Sequence, residues 1–316
     1  MCFKQIIRGV LTYVPELDKI LPNRTGGTNS ARYCYSAWLR HLVLAQKASL
    51  WNWPKVVAEL GPGDSLGIGL AALLSGAQKY YAFDVVEYAD TAVNLDILDE
   101  LIELFTNREP IPDQNEFPLL EPKLKSYEFP SYILTEERLR QSLASDRIRS
   151  IRSALNNLSC SAYNDIEIRY VVPWYDISIV EQKSVDMIFS QAVLEHVQEL
   201  AGTYETFYTW LKPDGFMSHQ IDFGCHHLAE RWNGHWAYSD MTWKLIKGKR
   251  PYLLNREPYS THKRLLETAG FEIVDEIKTI DRSGLAREQL NPRFCQLSEE
   301  DLTTRTIHIL ARKTPQ

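Results

Sequence analysis

The sequence has little that would indicate a disulfide-rich, membrane-spanning or nucleic-acid-binding protein. Its five cysteines lie far apart and form no CxxC pair, which argues against a zinc knuckle or a disulfide scaffold and favours a reducing, cytoplasmic compartment. No apolar run is long enough to span a bilayer, and Lys4 and Arg8 interrupt residues 1–14, so neither a membrane segment nor a signal peptide is expected. The net charge of -6 gives no general attraction to phosphate backbones, and we expect no nucleic-acid partner.

The chain does contain enough apolar material for a large core. Its 316 residues, of which 44% are hydrophobic, can form one large domain or two small ones. Strand-like and helix-like segments alternate over most of the chain, which predicts an α/β fold with a doubly wound sheet. Seven strands are predicted, at Val56–Leu60, Tyr80–Asp84, Asp165–Tyr170, Ser184–Phe189, Phe216–Phe223, Phe271–Ile280 and Thr304–Ala311.

The first predicted strand ends in a glycine turn, Gly61-Pro62-Gly63, two residues after the acidic Glu59. Glycine lacks a Cβ, so this turn can be tight and a ligand can approach its backbone closely. A helix capped by Asp64 or Ser65 is expected to follow, and the exposed amides at its start are typical of a nucleotide-type site. Asp84 lies about twenty residues further on, where an acid is expected to hold ribose hydroxyls. A dinucleotide-binding Rossmann oxidoreductase would show the same spacing.

Residues 1–50 are predicted to form a helical segment ahead of the main domain at 51–316. A short helix and a loop rich in turn-forming residues precede an aromatic helix that Ser30 would cap. Two interpretations stay open for this helix. It packs on the edge of the sheet, or it forms a lid over the glycine turn, with Tyr33 against the ligand and Arg32 near a ligand carboxylate.

Residues 107–160 are interpreted as an insertion between the second and third strands. The segment contains several prolines and a charged amphipathic run from Thr135 to Leu155, and no glycine turn or strand pattern recurs within it. Its basic second half is interpreted as a solvated helix face, since acidic residues are interspersed. The alternative is a cap that attracts an acidic substrate, because insertions of this size are often binding elements.

Four stretches together resemble the motif series of class I S-adenosylmethionine-dependent methyltransferases. The resemblance runs from about Trp51 to the C-terminus, apart from the insertion. Its most specific parts are the Leu-Glu-His-Val tail of the fourth strand and the Leu-Lys-Pro-Asp-Gly turn, for which Rossmann dehydrogenases have no counterpart at that distance from the glycines. The four stretches are Glu59-Leu60-Gly61-Pro62-Gly63, Phe83-Asp84, Val185–Val197 and Leu211-Lys212-Pro213-Asp214-Gly215-Phe216.

The resemblance implies S-adenosylmethionine as the cofactor and assigns a role to each matching position. The glycine turn with Glu59 would surround the methionine end, Asp84 would bind the ribose hydroxyls, and Val85 would lie beside the adenine. Ser190 and Gln191 would lie near the sulfonium and the methionine amino group. The chain departs from the family pattern in two places. Ser65 stands where many members have a third glycine, and the acidic residue expected after the third strand is not evident.

Methyl transfer from a sulfonium requires an aligned nucleophile and, where the nucleophile carries a proton, a base. The candidates follow the fourth and fifth strands, at the edge of the sheet where the crevice of such folds lies. His219 and Asp222 are three positions apart on a strand and therefore point to opposite faces. No metal is expected, because a His/His/Asp cluster has no supporting ligand series. The full set of candidates is His196, His219, Asp222, His226 and His227.

The sequence therefore predicts an enzyme that methylates a small-molecule, glycan or natural-product acceptor, most often on oxygen. Two alternatives remain. One is a Rossmann oxidoreductase that uses NAD(P), and the other is a non-catalytic methyltransferase-like protein that binds a partner.

Overall fold

The computed structural model describes residues 2–14, 27–50, 53–158, 165–174, 176–250 and 252–314. Its strands are β1 (Val56–Leu60), β2 (Lys79–Phe83), β3 (Glu167–Val171), β4 (Val185–Gln191), β5 (Leu211–Asp222), β6 (Phe271–Ile280) and β7 (Thr304–Lys313). They form one seven-stranded sheet in the order β3-β2-β1-β4-β5-β7-β6. The first five strands pair in parallel and β7 runs antiparallel to both of its neighbours, which confirms the predicted fold class.

The helices of the described residues cover both faces of this sheet. None of them combines the length and the apolar character that a membrane crossing needs. They are α1 (Cys2–Leu11), α2 (Ala31–Lys47), α3 (Gly67–Ser75), α4 (Thr91–Asn107), α5 (Glu136–Ser142), α6 (Ser145–Leu155), α7 (Leu200–Trp210), α8 (Asp240–Lys247), α9 (Tyr259–Thr268) and α10 (Glu299–Thr303).

Side chains that alternate along β1 enter two separate hydrophobic cores. Val57 belongs to a core that includes α2, α3 and α4. Ala58 and Leu60 belong to a second core with α7 and α9. This alternation is the period of two expected for a strand buried on both faces. The order of the strands reverses between β1 and β4, and in such sheets ligands bind beyond the carboxyl ends of the strands at that point.

The caps of two helices fix the backbone around the predicted turn. The N-cap residue of α3 is Leu66, not Asp64 or Ser65 as predicted. The Ser65 hydroxyl accepts a hydrogen bond from the Gly67 amide (3.1 Å), and Asn94 from α4 accepts one from the Leu66 amide (2.8 Å). Asn94 belongs to another helix, so the local sequence did not reveal its contact. Asp90 caps α4 through the amides of its first turn, and α4 therefore begins at Thr91, four residues later than predicted.

The start of β5 differs from its prediction. The residues Lys212-Pro213-Asp214-Gly215 were expected to form a turn before the fifth strand, but β5 already begins at Leu211. Its register against β4 shifts between Val185 and Met187, and this irregularity accommodates the extra residues.

The aromatic helix α2 packs tightly against the sheet domain. Ser30 caps it as predicted, accepting a hydrogen bond from the Tyr33 amide (3.4 Å). Trp38 is fully buried and donates to the Ser75 hydroxyl at the end of α3 (2.8 Å). The packed interpretation therefore describes the middle of this helix. A closing motion of its first turn stays a prediction, and most of the loop before it, residues 15–26, lies outside the described residues.

The predicted amphipathic run of the insertion forms two helices, α5 and α6. Three of its arginines make contacts with the domain, and one of them, Arg152, pairs with Asp99 of α4. The Arg147 guanidinium donates to the carbonyls of Leu73 and Ala77 at the end of α3, and the Arg138 guanidinium lies 3.7 Å from the ring centre of Trp53. These two side chains hold the insertion on the domain, and a solvated face does not describe them.

Candidate active site

A cavity of about 690 Å³ lies beyond the carboxyl ends of β1, β2 and β4. The glycine turn and the end of β2 form one side of it, and residues that follow β4 and β5 form another. Its volume falls within the usual range for a site that binds a small molecule or cofactor. The predicted cofactor-binding residues that line it are Tyr33, Gly61, Pro62, Gly63, Asp84, Val85 and Gln191.

Only glycine fits the turn at Gly61. Its φ is +67° and that of Gly63 is +74°, a region of backbone conformation that other residues rarely adopt. A Cβ on Gly61 would lie 2.6 Å from the side chain of Val193, far inside the contact distance. The Gly61 amide donates to the Phe83 carbonyl (2.8 Å), so the turn is tied to the end of β2. The backbone of the turn therefore forms part of the cavity wall, and no side chain separates it from a ligand.

Asp84 is held in place at the end of β2. Its Oδ1 accepts hydrogen bonds from the Val85 amide (2.7 Å) and the Val86 amide (3.4 Å). Burial raises the pKa of this carboxyl above its usual value, although these amides oppose the shift. The side chain is 8% exposed and lines the cavity, so it can accept hydrogen bonds from a ligand.

Two further oxygens at the cavity are buried without a hydrogen-bond partner among the described residues. They are Thr28 Oγ1 and Gln191 Oε1. A buried polar atom without a partner is costly, and a ligand that donates to it removes that cost. Together with the glycine turn and Asp84, these oxygens suit a ligand that carries hydroxyl and amino groups. The residues present therefore fit S-adenosylmethionine.

Three predicted cofactor-binding residues lie behind or beside the cavity wall. Glu59 is 1% exposed and accepts a hydrogen bond from the Tyr80 hydroxyl, and burial raises its pKa to about 8. Ser190 is fully buried and hydrogen-bonded to His219 Nδ1 (2.8 Å). The Arg32 side chain is 43% exposed and forms two hydrogen bonds with the Glu116 carboxylate (2.6 and 2.7 Å). None of these three side chains lines the cavity.

A polar cluster forms another part of the cavity, beyond β4 and β5. We call it the acid–histidine cluster, and it consists of Glu195, His196, Asp222 and His226. His196 and His226 line the cavity, and their ring centres are 5.1 Å apart. His226 Nε2 lies 3.3 Å from Asp222 Oδ2 and 3.9 Å from Glu195 Oε1. The fold thus brings three of the predicted base candidates together.

The electrostatics of this cluster are unusual for groups next to a cavity. Burial raises the pKa of Glu195 to about 8 and lowers that of His196 to about 3. Burial lowers the pKa of His226, but the hydrogen bond to Asp222 and the charges of both carboxylates outweigh it, and the net shift is upward. The same contact outweighs burial at Asp222 and lowers the pKa of that carboxyl.

The two remaining base candidates lie elsewhere. His219 is 1% exposed, stacks on Phe207 with ring centres 5.4 Å apart, and has its pKa lowered to about 3 by burial. His227 is exposed, and its backbone carbonyl accepts a hydrogen bond from Gln5 (3.2 Å). Neither is part of the acid–histidine cluster.

Sequence reasoning missed Glu195 as a functional candidate, although the residue lies inside the quoted Leu-Glu-His-Val motif. The sequence did contain a signal, since an acid directly before a histidine at the end of a strand is uncommon in a hydrophobic core. It also missed Tyr88 and Trp174, which form an aromatic cavity wall together with Tyr252, a residue of the segment 232–252 that was expected to shape the acceptor site. Those residues come from three separate loops, and no local pattern unites them.

Comparison with known proteins adds to this geometry. The sequence matches the methyltransferase domain family over residues 54–276, more than half of the chain. The chain belongs to this family. The predicted class I S-adenosylmethionine-dependent methyltransferase domain is thereby confirmed, and S-adenosylmethionine is its cofactor. No match was found among the curated proteins.

Several solved methyltransferases are similar in fold at low sequence identity. A methyltransferase of Mesorhizobium loti is 14% identical, with 88% of this chain and 98% of that chain covered and a TM-score of 0.42. A phosphoethanolamine N-methyltransferase of Haemonchus contortus with bound S-adenosyl-L-methionine is 15% identical, with 88% and 53% covered and a TM-score of 0.41. The carbon methyltransferase CurJ is 13% identical, with 88% and 54% covered and a TM-score of 0.38. These scores are too low to carry an argument about the acceptor.

Proposed function

We propose that the protein transfers the methyl group of S-adenosylmethionine to a hydroxyl oxygen of a small-molecule acceptor of the glycan or natural-product type. One observation carries this proposal: the glycine turn and the acid–histidine cluster open into the same cavity. A donor site and a group of proton acceptors are therefore close enough to act on one bound pair of molecules.

The donor end would hold the cofactor through backbone and carboxylate groups. The glycine turn would lie against the methionine end, with Gln191 and Thr28 supplying the unpartnered oxygens for its polar groups. Asp84 would accept hydrogen bonds from the ribose hydroxyls. When bound, S-adenosylmethionine supplies an electrophilic methyl group on a sulfonium.

The acid–histidine cluster favours oxygen as the acceptor atom. A neutral amine is a nucleophile without losing a proton first, whereas a hydroxyl must lose its proton as it is methylated. The carboxyl groups of Glu195 and Asp222 and the imidazoles of His196 and His226 lie beside the cavity, and Asp222 and His196, whose pKa values are lowered, are the members without a proton near neutral pH. The Val193 side chain packs against Gly61, and Val193 comes two residues before Glu195 in the chain, so the cluster lies close to the donor end. Aromatic walls at Tyr88, Trp174 and Tyr252 would align the acceptor.

Isothermal titration calorimetry separates this proposal from its alternatives. S-adenosylhomocysteine is expected to bind, and NADP+ is not. Binding of NADP+ without S-adenosylhomocysteine would point to an oxidoreductase instead. The acceptor is tested by incubating the protein with methyl-labelled S-adenosylmethionine and matched panels of small glycosides and amines. Label in O-methyl ethers supports the proposal, label on nitrogen or carbon contradicts its acceptor atom, and no transfer to any acceptor favours a binding protein.

A further inference from the structure

Three side chains of the acid–histidine cluster meet in the arrangement of a metal site. Glu195, His196 and His226 each offer one ligand atom, and these atoms all lie within 4.8 Å of one another. Glu195 and His196 come from the short helical turn after β4, and His226 comes from the loop after β5. Residues that are about thirty positions apart therefore converge because β4 and β5 are neighbouring strands.

The buried acid of this group is left without hydrogen bonds. Glu195 is 2% exposed, and neither of its carboxylate oxygens has a hydrogen-bond partner in the part of the chain that the structure describes. Nδ1 of His196 is likewise buried and unpartnered there. Among the described residues, His226 is the side chain close enough to Glu195 to form an ion pair, at 3.9 Å. Two adjacent residues with unsatisfied ligand atoms are a large cost to fold stability unless something binds them.

The backbone at His226 is also held in an uncommon conformation. Its φ is +45°, a left-handed value that is uncommon in residues other than glycine, although asparagine, aspartate and histidine adopt it more often than the rest. This conformation directs the imidazole toward both Asp222 and Glu195, at 3.3 and 3.9 Å. Uncommon backbone conformations persist where the surrounding structure imposes them, and they are concentrated at functional sites.

We propose that Glu195, His196 and His226 bind a divalent transition-metal ion at the acceptor end of the cavity. Ligands that each lie about 2.1 Å from one ion are about 3.0 to 3.4 Å apart. The observed separations therefore need an inward movement of each side chain by less than about 1 Å. Asp222 lies beside the site and adds a second negative charge. Its Oδ2 faces the same Nε2 of His226 that faces Glu195, at 3.3 Å, so this contact gives way when that nitrogen binds the ion.

The donor set defines the class of ion. Two imidazole nitrogens and one carboxylate oxygen suit Zn²⁺, Fe²⁺ or Mn²⁺ and leave coordination positions open. Because His196 and His226 line the cavity, these open positions would face an acceptor. A role of the ion toward the acceptor hydroxyl rests on the proposed function, whereas binding of the ion does not. The metal cluster weighed from the sequence was a His/His/Asp set, which did not include Glu195.

Titration of the full chain with Co²⁺ alone tests the site, because Co²⁺ bound by nitrogen and oxygen ligands absorbs visible light. We expect one Co²⁺ per chain with micromolar affinity or tighter, and competition by Zn²⁺. Glu195→Gln and His226→Asn should each weaken binding by at least about tenfold. His227→Asn is the matched control, because His227 also has a positive φ, +62°, that asparagine tolerates, and it lies outside the site.

Three results would overturn the site. They are an absence of Co²⁺ binding, binding that Glu195→Gln and His226→Asn leave unchanged, and equal loss in the His227→Asn control. Binding of S-adenosylhomocysteine to every variant shows that each has folded, since the donor end does not include these residues. A protein that binds Co²⁺ at the cluster but not S-adenosylhomocysteine would contradict the proposed function and retain the metal site. A protein that binds S-adenosylhomocysteine but not Co²⁺ would retain the proposed function and contradict the metal site.

Discussion

The two ends of the cavity each have a buried glutamate with a pKa raised to about 8, and the two differ in one respect. At the donor end, Glu59 receives a hydrogen bond from the Tyr80 hydroxyl and lies behind the wall. At the other end, Glu195 has no hydrogen bond to either oxygen among the described residues and lies beside two histidines that face the cavity. A perturbed pKa alone therefore does not identify a functional carboxylate. A buried carboxylate without a hydrogen-bond partner in the protein is a better indication of a functional site.

The ends also differ in how the chain builds them. The donor end uses backbone geometry at Gly61 and Gly63 and one carboxylate, Asp84, all within two consecutive strand–turn units. The acid–histidine cluster uses side chains from two segments that only the pairing of β4 with β5 brings together. We therefore expect substitutions at one end to change cofactor affinity, and substitutions at the other end to change turnover.

The sharpest test of this division is His226→Asn. The histidine lines the cavity and contacts both carboxylates of the cluster. Turnover should fall at least about a hundredfold, the usual contribution of a group that assists proton transfer. Affinity for S-adenosylhomocysteine should change by less than about twofold, because the donor end is separate. Steady-state rates and calorimetry on the same preparation measure both quantities. An equal loss of turnover and of S-adenosylhomocysteine affinity would show that the two ends act as one site.

At the donor end, Gly61→Ala should have the largest effect on cofactor affinity. The added Cβ would lie 2.6 Å from Val193 in a backbone conformation that alanine avoids. Affinity for S-adenosylhomocysteine should fall by about a hundredfold, the equivalent of about 3 kcal/mol. Gly202→Ala is the control, because Gly202 also lines the cavity but an added Cβ would meet nothing within 4 Å. If both variants bind equally well, the turn is not the cofactor site.

Glu59→Gln tests the structural role given to the first glutamate. Its pKa of about 8 lies above the ordinary 4.5, so between these pH values the folded protein keeps a proton that the unfolded chain has lost. The wild type therefore loses stability as pH rises through this window, and the variant lacks that loss. The melting temperature of the wild type should fall relative to that of Glu59→Gln by a few degrees between about pH 5 and pH 8. Parallel curves would show that Glu59 is not a buried acid of this kind.

The smallest effect is expected for Arg32→Ala. The lid interpretation of α2 placed this arginine near a ligand carboxylate, but the structure pairs it with Glu116 at a partly exposed position. Such pairs contribute less than about 1 kcal/mol to stability, and we expect less than a twofold change in S-adenosylhomocysteine affinity. A loss of tenfold or more would show that the first turn of α2 moves onto the ligand, as a lid would.

The sequence predicted best where local patterns determine the structure. The bounds of β1 and β6 were predicted to the residue. A short apolar run that glycine ends marks β1, and the Ala269-Gly270 pair marks the start of β6. The glycine turn and Asp84 were found through spacing alone. The start of α4 was missed because the cap at Asp90 outweighed the helical pattern upstream. The start of β5 was missed because residues 212–215, which resemble a turn in the sequence, belong to the strand where its register against β4 shifts.

The acid–histidine cluster could be predicted only in part. Three of its four members were among the candidates, yet nothing local showed that Glu195 and His226 would meet. That contact depends on the pairing of two strands and on the positive φ at His226, and the spacing of residues in the sequence reveals neither. His219 was a candidate for the same reasons as His226, and the fold buries it against Phe207 instead.

A crystal structure of the protein with S-adenosylhomocysteine tests the central claim most directly. We expect the ribose hydroxyls on the Asp84 carboxylate, the amino acid end against Gly61 and Gly63, and the sulfur directed toward His196 and His226. A ligand bound elsewhere, or one whose sulfur points away from these histidines, would contradict the assignment of a donor end and an acceptor end to one cavity.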